Sequence, residues 1–268
     1  AQISGALMNI ILDPIMIFGW FGMPAMGLAG AALATVISQY IGALVVDYLC
    51  IRKEKDIDIG FRYMKPDFKI IRDIYAVGMP SIIMISISSV TIFSMNQILA
   101  KFSITAVALL GIYFKLQSFI FMPVFGLNNG IIPIVGYNYG AGNKERMRET
   151  IFLGMRYAVT IMLIGPLIMM VFPDKLLGMF NASDHMMDIG RVAFRIICIS
   201  FPFAAISIIS IGVFQAIGKG TLSMIISIIR QLVVLVPLAY LFSLTGNLSM
   251  VWWSVIIAEL VAVSICVR

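Results

Sequence analysis

The sequence predicts an all-α integral membrane protein with about eight transmembrane helices: the last two of one six-helix lobe and a complete second lobe. Three observations carry that expectation. Of 268 residues, 61% are hydrophobic and only 12% charged, and the mean hydropathy is +1.02. A soluble domain carries about 25% charged residues to keep its surface wetted, so half that supply cannot cover a globule in water. Apolar stretches near the roughly 20 residues needed to cross about 30 Å of hydrocarbon follow one another with short connections. The basic residues gather in alternate loops, as the positive-inside rule requires, which removes nucleic acid as the explanation of a net charge of +6.

The elements follow in order. Helix one covers 1–19 and helix two 27–51, joined by a Gly- and Pro-rich turn over 20–26. The chain opens on Ala1 with no basic leader and enters an apolar helix at once, so it is expected to begin inside a longer protein. Segment 52–75 is the one long polar connection, holding Arg52, Lys53, Lys55, Arg62, Lys65, Lys69 and Arg72. Within it Phe68, Ile71, Ile74 and Tyr75 recur at helical spacing, which predicts an amphipathic helix in the membrane interface. Helices three to eight are expected over 77–102, 105–138, 146–172, 187–216, 221–244 and 248–268. The domains are therefore 1–51, a linker over 52–75, and a six-helix lobe over 76–268.

Charge sets the orientation. Lys144, Arg146, Arg148, Lys219 and Arg268 fall on the side of segment 52–75, which is then cytoplasmic. The opposite loops hold Lys101 and Lys175 near their ends, with Asp174, Asp184, His185 and Asp188. A parallel internal repeat is also indicated. Leu12-Asp13-Pro14-Ile15 resembles Leu235-Val236-Pro237-Leu238, and each is followed by a helix with one intramembrane polar residue, Gln39 or Glu259.

Candidate functional residues are the polar groups that hydrocarbon makes costly. Lys115 lies about 15 Å into helix four at 1.5 Å per residue, near the midplane. It reads either as a cation that steers substrate and coupling ions or as one partner of a bundle salt bridge. Helix four is too long for a straight span, at roughly 50 Å. Pro123, Gly126 and Pro133 supply a bend or hinge in it, with Asn128 and Asn129 placed to satisfy freed carbonyls. Asp13 before Pro14 reads as a cation- or proton-binding carboxylate or as kink support. Asn96, Gln117 and Gln215 are equally substrate contacts or interhelical glue. Arg195 and Arg230 read as structural, either snorkelling or pairing with Glu259.

Other chemistries find no support. The run Tyr137-Asn138-Tyr139-Gly140-Ala141-Gly142-Asn143-Lys144 lacks the Ser or Thr and the preceding strand of a phosphate loop. Cys50, Cys198 and Cys266 have no metal spacing, and His185 sits alone in an outer loop. No catalytic constellation is present, so neither an enzyme nor a metal site is expected.

Several runs resemble the multidrug and toxic compound extrusion (MATE) family. Asn9-Ile10-Ile11-Leu12-Asp13-Pro14 and Gly27-Leu28-Ala29-Gly30-Ala31-Ala32-Leu33-Ala34-Thr35-Val36-Ile37-Ser38-Gln39 look like its fifth and sixth helices. Gly78-Met79-Pro80-Ser81 resembles the start of its seventh. Phe125-Gly126-Leu127, Pro133 and Gly136-Tyr137-Asn138-Tyr139-Gly140-Ala141 resemble its eighth, and Phe214-Gln215-Ala216-Ile217-Gly218-Lys219-Gly220 the end of its tenth.

The resemblance implies two six-helix lobes and export of organic, often cationic and amphipathic compounds in exchange for Na+ or H+, with no cofactor. It places Asp13 in the family's Asp-Pro motif. Ser88 stands where some members carry a seventh-helix acid, so coupling would rest on Asp13 or on helices outside this chain. The expected setting is the plasma (cytoplasmic) membrane of a bacterium, with the lipid bilayer and small organic substrates as partners and a monomer at full length. The competing expectation is a flippase for lipid-linked saccharides, favoured by Lys115, Arg195 and Arg230.

Overall fold

Helix follows helix in the computed structural model, which describes residues 2–53 and 66–267 and shows no strand among them. Contacts divide the chain into two compact units, Ala1–Phe68 and Lys69–Arg268.

The first unit is an antiparallel pair, α1 (Gln2–Phe18) and α2 (Leu28–Lys53). Between them lies a 3₁₀ turn, Trp20–Gly22, entered through Gly19 at φ 75° and left through Gly22 at φ 83°, conformations that cost glycine little. The backbone N–H groups of Met26 and Gly27 donate to the carbonyls of Met16 and Ile17, clamping the turn onto α1. The two helices then meet backbone to backbone: a Cβ on Gly30 would sit 2.3 Å from the Met16 carbonyl oxygen. Lipid is as apolar as leucine and cannot drive helices together, so close approach through small residues does that work.

The second unit comprises α3 (Phe68–Ala100), α4 (Ile104–Gly140), α5 (Lys144–Val171), α6 (Pro173–Gly178), α7 (Asp184–Cys198), α8 (Phe201–Ala216), α9 (Gly220–Ile228), a π-helical segment Ile229–Leu235, α10 (Val236–Ser243) and α11 (Leu248–Val267). Its core gathers Leu99, Leu109, Val124, Met162, Phe194, Phe201 and Trp252, all essentially inaccessible. The rings of Phe121 and Phe201 meet edge to face at 5.1 Å.

The outside is as apolar as the inside, with Ile104 88% and Phe119 76% exposed. Among the described residues six helices are long and apolar enough to cross a membrane, and α7 with α8 forms a seventh, bent span. With the shorter apolar α1, each stretch that the sequence marked as a span is mainly helical over its described residues. The chain is a multi-pass membrane protein.

Four local features differ from the sequence expectation. The predicted helix six is two helices, bent by 49°. Its break falls at Ser200-Phe201-Pro202, where the Ser200 hydroxyl donates to the Ile197 carbonyl at 2.7 Å and Pro202 sits in the first turn of α8 without an N–H to offer. The short α6 fills the connection between α5 and α7 and buries Leu177. Helix seven widens into the π segment just before Pro237, whose ring and missing N–H disturb the preceding turn. The amphipathic stretch Phe68–Tyr75 is not a separate helix but the first turns of the 33-residue α3. The rest of that linker expectation, with Lys55, Arg62 and Lys65, lies outside the described residues.

Overpacking a close helix contact costs about 1–3 kcal/mol. Gly30→Val is therefore expected to lower the thermal stability of the full-length protein in detergent. Gly78→Val, where a Cβ meets no atom within 4 Å, should leave it unchanged. Equal melting temperatures for the two variants would refute the tight α1–α2 contact.

Candidate functional site

The charged centre of the second unit is an ion pair. Arg230 Nη1 donates to Glu259 Oε1 at 3.0 Å, with side chains only 22% and 13% exposed. Arg230 rises from the π segment and Glu259 from the middle of α11, each about 15 Å along its span at 1.5 Å per residue. The pair resolves the sequence alternatives for Arg230 in favour of pairing. Arg195 on α7 is exposed instead.

The pair is incompletely satisfied: Arg230 Nε and Glu259 Oε2 are both buried without a hydrogen-bond partner. Tyr113 of α4 lies within electrostatic reach of Glu259. Cys266 lies within electrostatic reach of both charges.

Helix α4 carries most of the sequence candidates. It is one unbroken helix of 37 residues through both Pro123 and Pro133, about 55 Å long. Pro123, Gly126, Asn129 and Pro133 lie on exposed positions, and Gln117 is half-buried. Asn128 points inward, 9% exposed, and packs against α8 so closely that a Cβ on Gly212 would collide with its amide. Its Oδ1 is buried without a hydrogen-bond partner.

Lys115 is exposed, and its ammonium lies 5.8 Å from the centre of the Phe180 ring, a cation–π distance. Phe180 belongs to the turn after α6, and Leu177 beside it packs among Leu109 and Gly190. The turn after α6 thus reaches Lys115 on α4. Thirteen residues separate Lys115 from Asn128, about 20 Å along the helix, so the two do not share one site.

Between α3 and α10 opens a surface cleft of about 420 Å³, lined by Phe93, Ser94, Gln97, Lys101, Pro237 and Tyr240 among others. The Lys101 ammonium lies 4.6 Å over the Tyr240 ring. Sequence reasoning singled out Asn96, which is half-buried; its neighbour Gln97 is the residue that lines the cleft. The signal was available in the exposed stripe Phe93, Gln97 and Lys101 at four-residue spacing. At the other end, a Cβ added to Gly220 at the start of α9 would sit 3.7 Å from the Pro80 ring of α3.

In the first unit Asp13 is half-buried and accepts from Asn9 Nδ2 at 3.3 Å, while the same amide reaches Thr35 Oγ1 of α2 at 3.5 Å. This polar bridge ties α1 to α2 around Pro14.

A bundle that lodges charges and amides among membrane-spanning helices, and leaves some of them unpaired, has the make-up of a polytopic transporter. The MatE family model matches residues 80–241, and the chain belongs to the MatE family. It is 29% identical over 260 residues to a multidrug export protein MepA of Staphylococcus haemolyticus, covering 97% of this chain and 56% of that protein. It is 30% identical to the MepA of Staphylococcus saprophyticus, again over 96% of this chain and 56% of the relative.

Among solved structures, it superposes on a MOP superfamily transporter from Pyrococcus furiosus with a TM-score of 0.87 at 26% identity, covering 99% of this chain and 59% of the other. A MATE structure in the straight conformation gives 0.87 at 27% identity. The chain thus spans just over half the length of the relatives it matches, and these are transporters and not enzymes.

Removing one partner of a buried pair strands a charge at a cost of about 3–5 kcal/mol, whereas replacing both with apolar residues is near neutral. Arg230→Met should therefore destabilise the protein strongly, and Arg230→Met with Glu259→Leu should recover most of the loss. Losses that simply add, measured as melting temperatures, would show that the two side chains do not interact.

Proposed function

We propose that this chain is part of a secondary antiporter that exports organic, often cationic and amphipathic compounds in exchange for Na+ or H+. The observation that carries the reading is the set of polar groups held at mid-helix in an otherwise apolar lobe, in a chain whose relatives are multidrug export proteins. A static scaffold has no use for them, because intramembrane charge is costly. The cleft beside Phe93 and Tyr240 offers aromatic faces and the Gln97 amide, a lining suited to amphipathic guests. Each charge moved with the membrane potential supplies about 2.3 kcal/mol per 100 mV, and no nucleotide site is invoked.

In this reading the segment over 52–75 is cytoplasmic, with the basic ends at Lys144 to Arg148 and Lys219 beside it. The six-helix lobe over 76–268 works with a partner lobe that includes 1–51. Asp13, Asn96, Lys115, Gln117, Asn128 and Asn129 serve as ion or substrate contacts, and Pro123, Gly126 and Pro133 let α4 flex. The exposed cations Lys115 and Arg195 favour one alternative, a flippase that handles the anionic head groups of lipid-linked saccharides.

Efflux of a fluorescent cationic dye from cells expressing the full-length protein, with the sodium and proton gradients collapsed separately, decides between them. Gradient-dependent efflux supports the antiporter and names its ion; none, despite confirmed membrane insertion, favours the flippase. Lys115→Ala should change substrate preference without preventing insertion, and wild-type transport would remove Lys115 from the pathway. Pro123→Ala with Pro133→Ala should slow turnover more than it lowers expression. Unchanged turnover would discard the flexing of α4.

A further inference from the structure

We propose that Glu259 is a proton-binding site of this lobe, and that its proton and a cationic substrate exclude each other through Arg230. This deepens the antiporter reading and rests on it.

Three observations converge on the pair. Both charges lie near the middle of their spans, where an ion pair is expensive and an apolar pair of similar volume would serve packing as well. The contact is single, Nη1 to Oε1, although a guanidinium and a carboxylate can pair through two bonds. Glu259 Oε2 and Arg230 Nε are consequently buried and unpartnered, and half-satisfied polar groups are poor structural cement. Finally, Arg230 stands on a π-helical segment, a wide turn frequent at functional sites.

The surroundings leave Glu259 as the acceptor. Helices α8 and α9 contain no titratable side chain, and the one on α10, Tyr240, is exposed beneath Lys101. On α7, Asp184, His185, Asp188 and Arg195 are exposed, Arg191 is held by Asp174 and Asp188, and Cys198 faces Tyr113. Among the described residues, Tyr113 from α4, Cys266 from α11 and Arg230 are the titratable groups that face Glu259. Of these only the carboxylate has an unengaged basic atom, Oε2.

Charge then sets the exchange. With Glu259 ionised the pair is neutral, and a cation nearby meets no net repulsion. A proton arriving from water bonds to Oε2 and converts the carboxylate to an acid. Arg230 remains charged, the site becomes net positive, and a cation is expelled. Loss of the proton restores the neutral pair. The first unit bridges its two helices at a comparable place, through Asp13, Asn9 and Thr35, without a fixed positive charge.

Infrared difference spectroscopy of the purified full-length protein in lipid, between alkaline and acidic buffer, tests this without transport. Wild type should show the carbonyl stretch of a protonated acid that persists in Asp13→Asn and is lost in Glu259→Gln. Saturating cationic dye should diminish that band. If Glu259→Gln does not accumulate, Arg230→Gln with Glu259→Gln leaves no stranded charge and serves the same comparison. A band unchanged in the variant, or indifferent to dye, overturns the proposal whatever efflux does. Efflux that ignores the proton gradient, with the Glu259 band present and dye-sensitive, instead overturns proton coupling in the antiporter reading and leaves the competition at Glu259 standing.

Discussion

A polypeptide in hydrocarbon has no water to satisfy its backbone, so every peptide N–H and C=O must find a partner within the protein. That constraint governs the whole chain. It makes each span a helix, and it directs the hydroxyls as well: Thr35, Ser86, Ser88, Thr91, Ser118, Thr160 and Ser264 all donate to the carbonyl four residues back. These side chains are polar in name and internally satisfied in fact, which is why helices rich in Ser and Thr still face lipid. Ser88 belongs to this group, its hydroxyl bonded to the Met84 carbonyl at 3.2 Å.

Against that background the exceptions stand out. Besides the hydroxyls of Ser38 and Ser207, Arg230, Glu259 and Asn128 hold buried polar atoms that the surrounding helices do not satisfy. They sit where helices are pressed together most closely, Asn128 against Gly212, or where helical geometry itself changes, Arg230 in the π segment. The prolines act differently in different places. Pro202 helps to turn one span by 49°, Pro237 follows the π segment, and Pro123 and Pro133 pass through α4 without breaking it. A missing N–H is tolerated where the neighbouring turn can widen or the span can bend.

Much of the fold was legible in the sequence because span length and hydropathy are imposed by the bilayer, independently of tertiary packing. The bend at Ser200-Phe201-Pro202 was missed because both halves are apolar enough to read as one helix. The π segment left no periodicity to detect. The site was harder to read, because depth does not give direction. Counting residues gives Lys115 a depth along α4 but does not reveal the Phe180 ring beside its ammonium. Asn96 and Gln97 are chemically alike and adjacent, and only the helix's rotation puts Gln97 in the cleft. Arg230 and Glu259 could be paired on paper because few charges were available to either.

All of this presumes that the basic helix ends face the cytoplasm and that the connection holding α6 faces outward. Cysteines introduced singly at Asn181 and at Arg146 in the full-length protein, with the native cysteines removed, test that directly in intact cells. A membrane-impermeant maleimide is expected to label position 181 at once and position 146 only after permeabilisation. Labelling of 146 in intact cells, or of both alike, would contradict the membrane arrangement on which the proposed exchange depends.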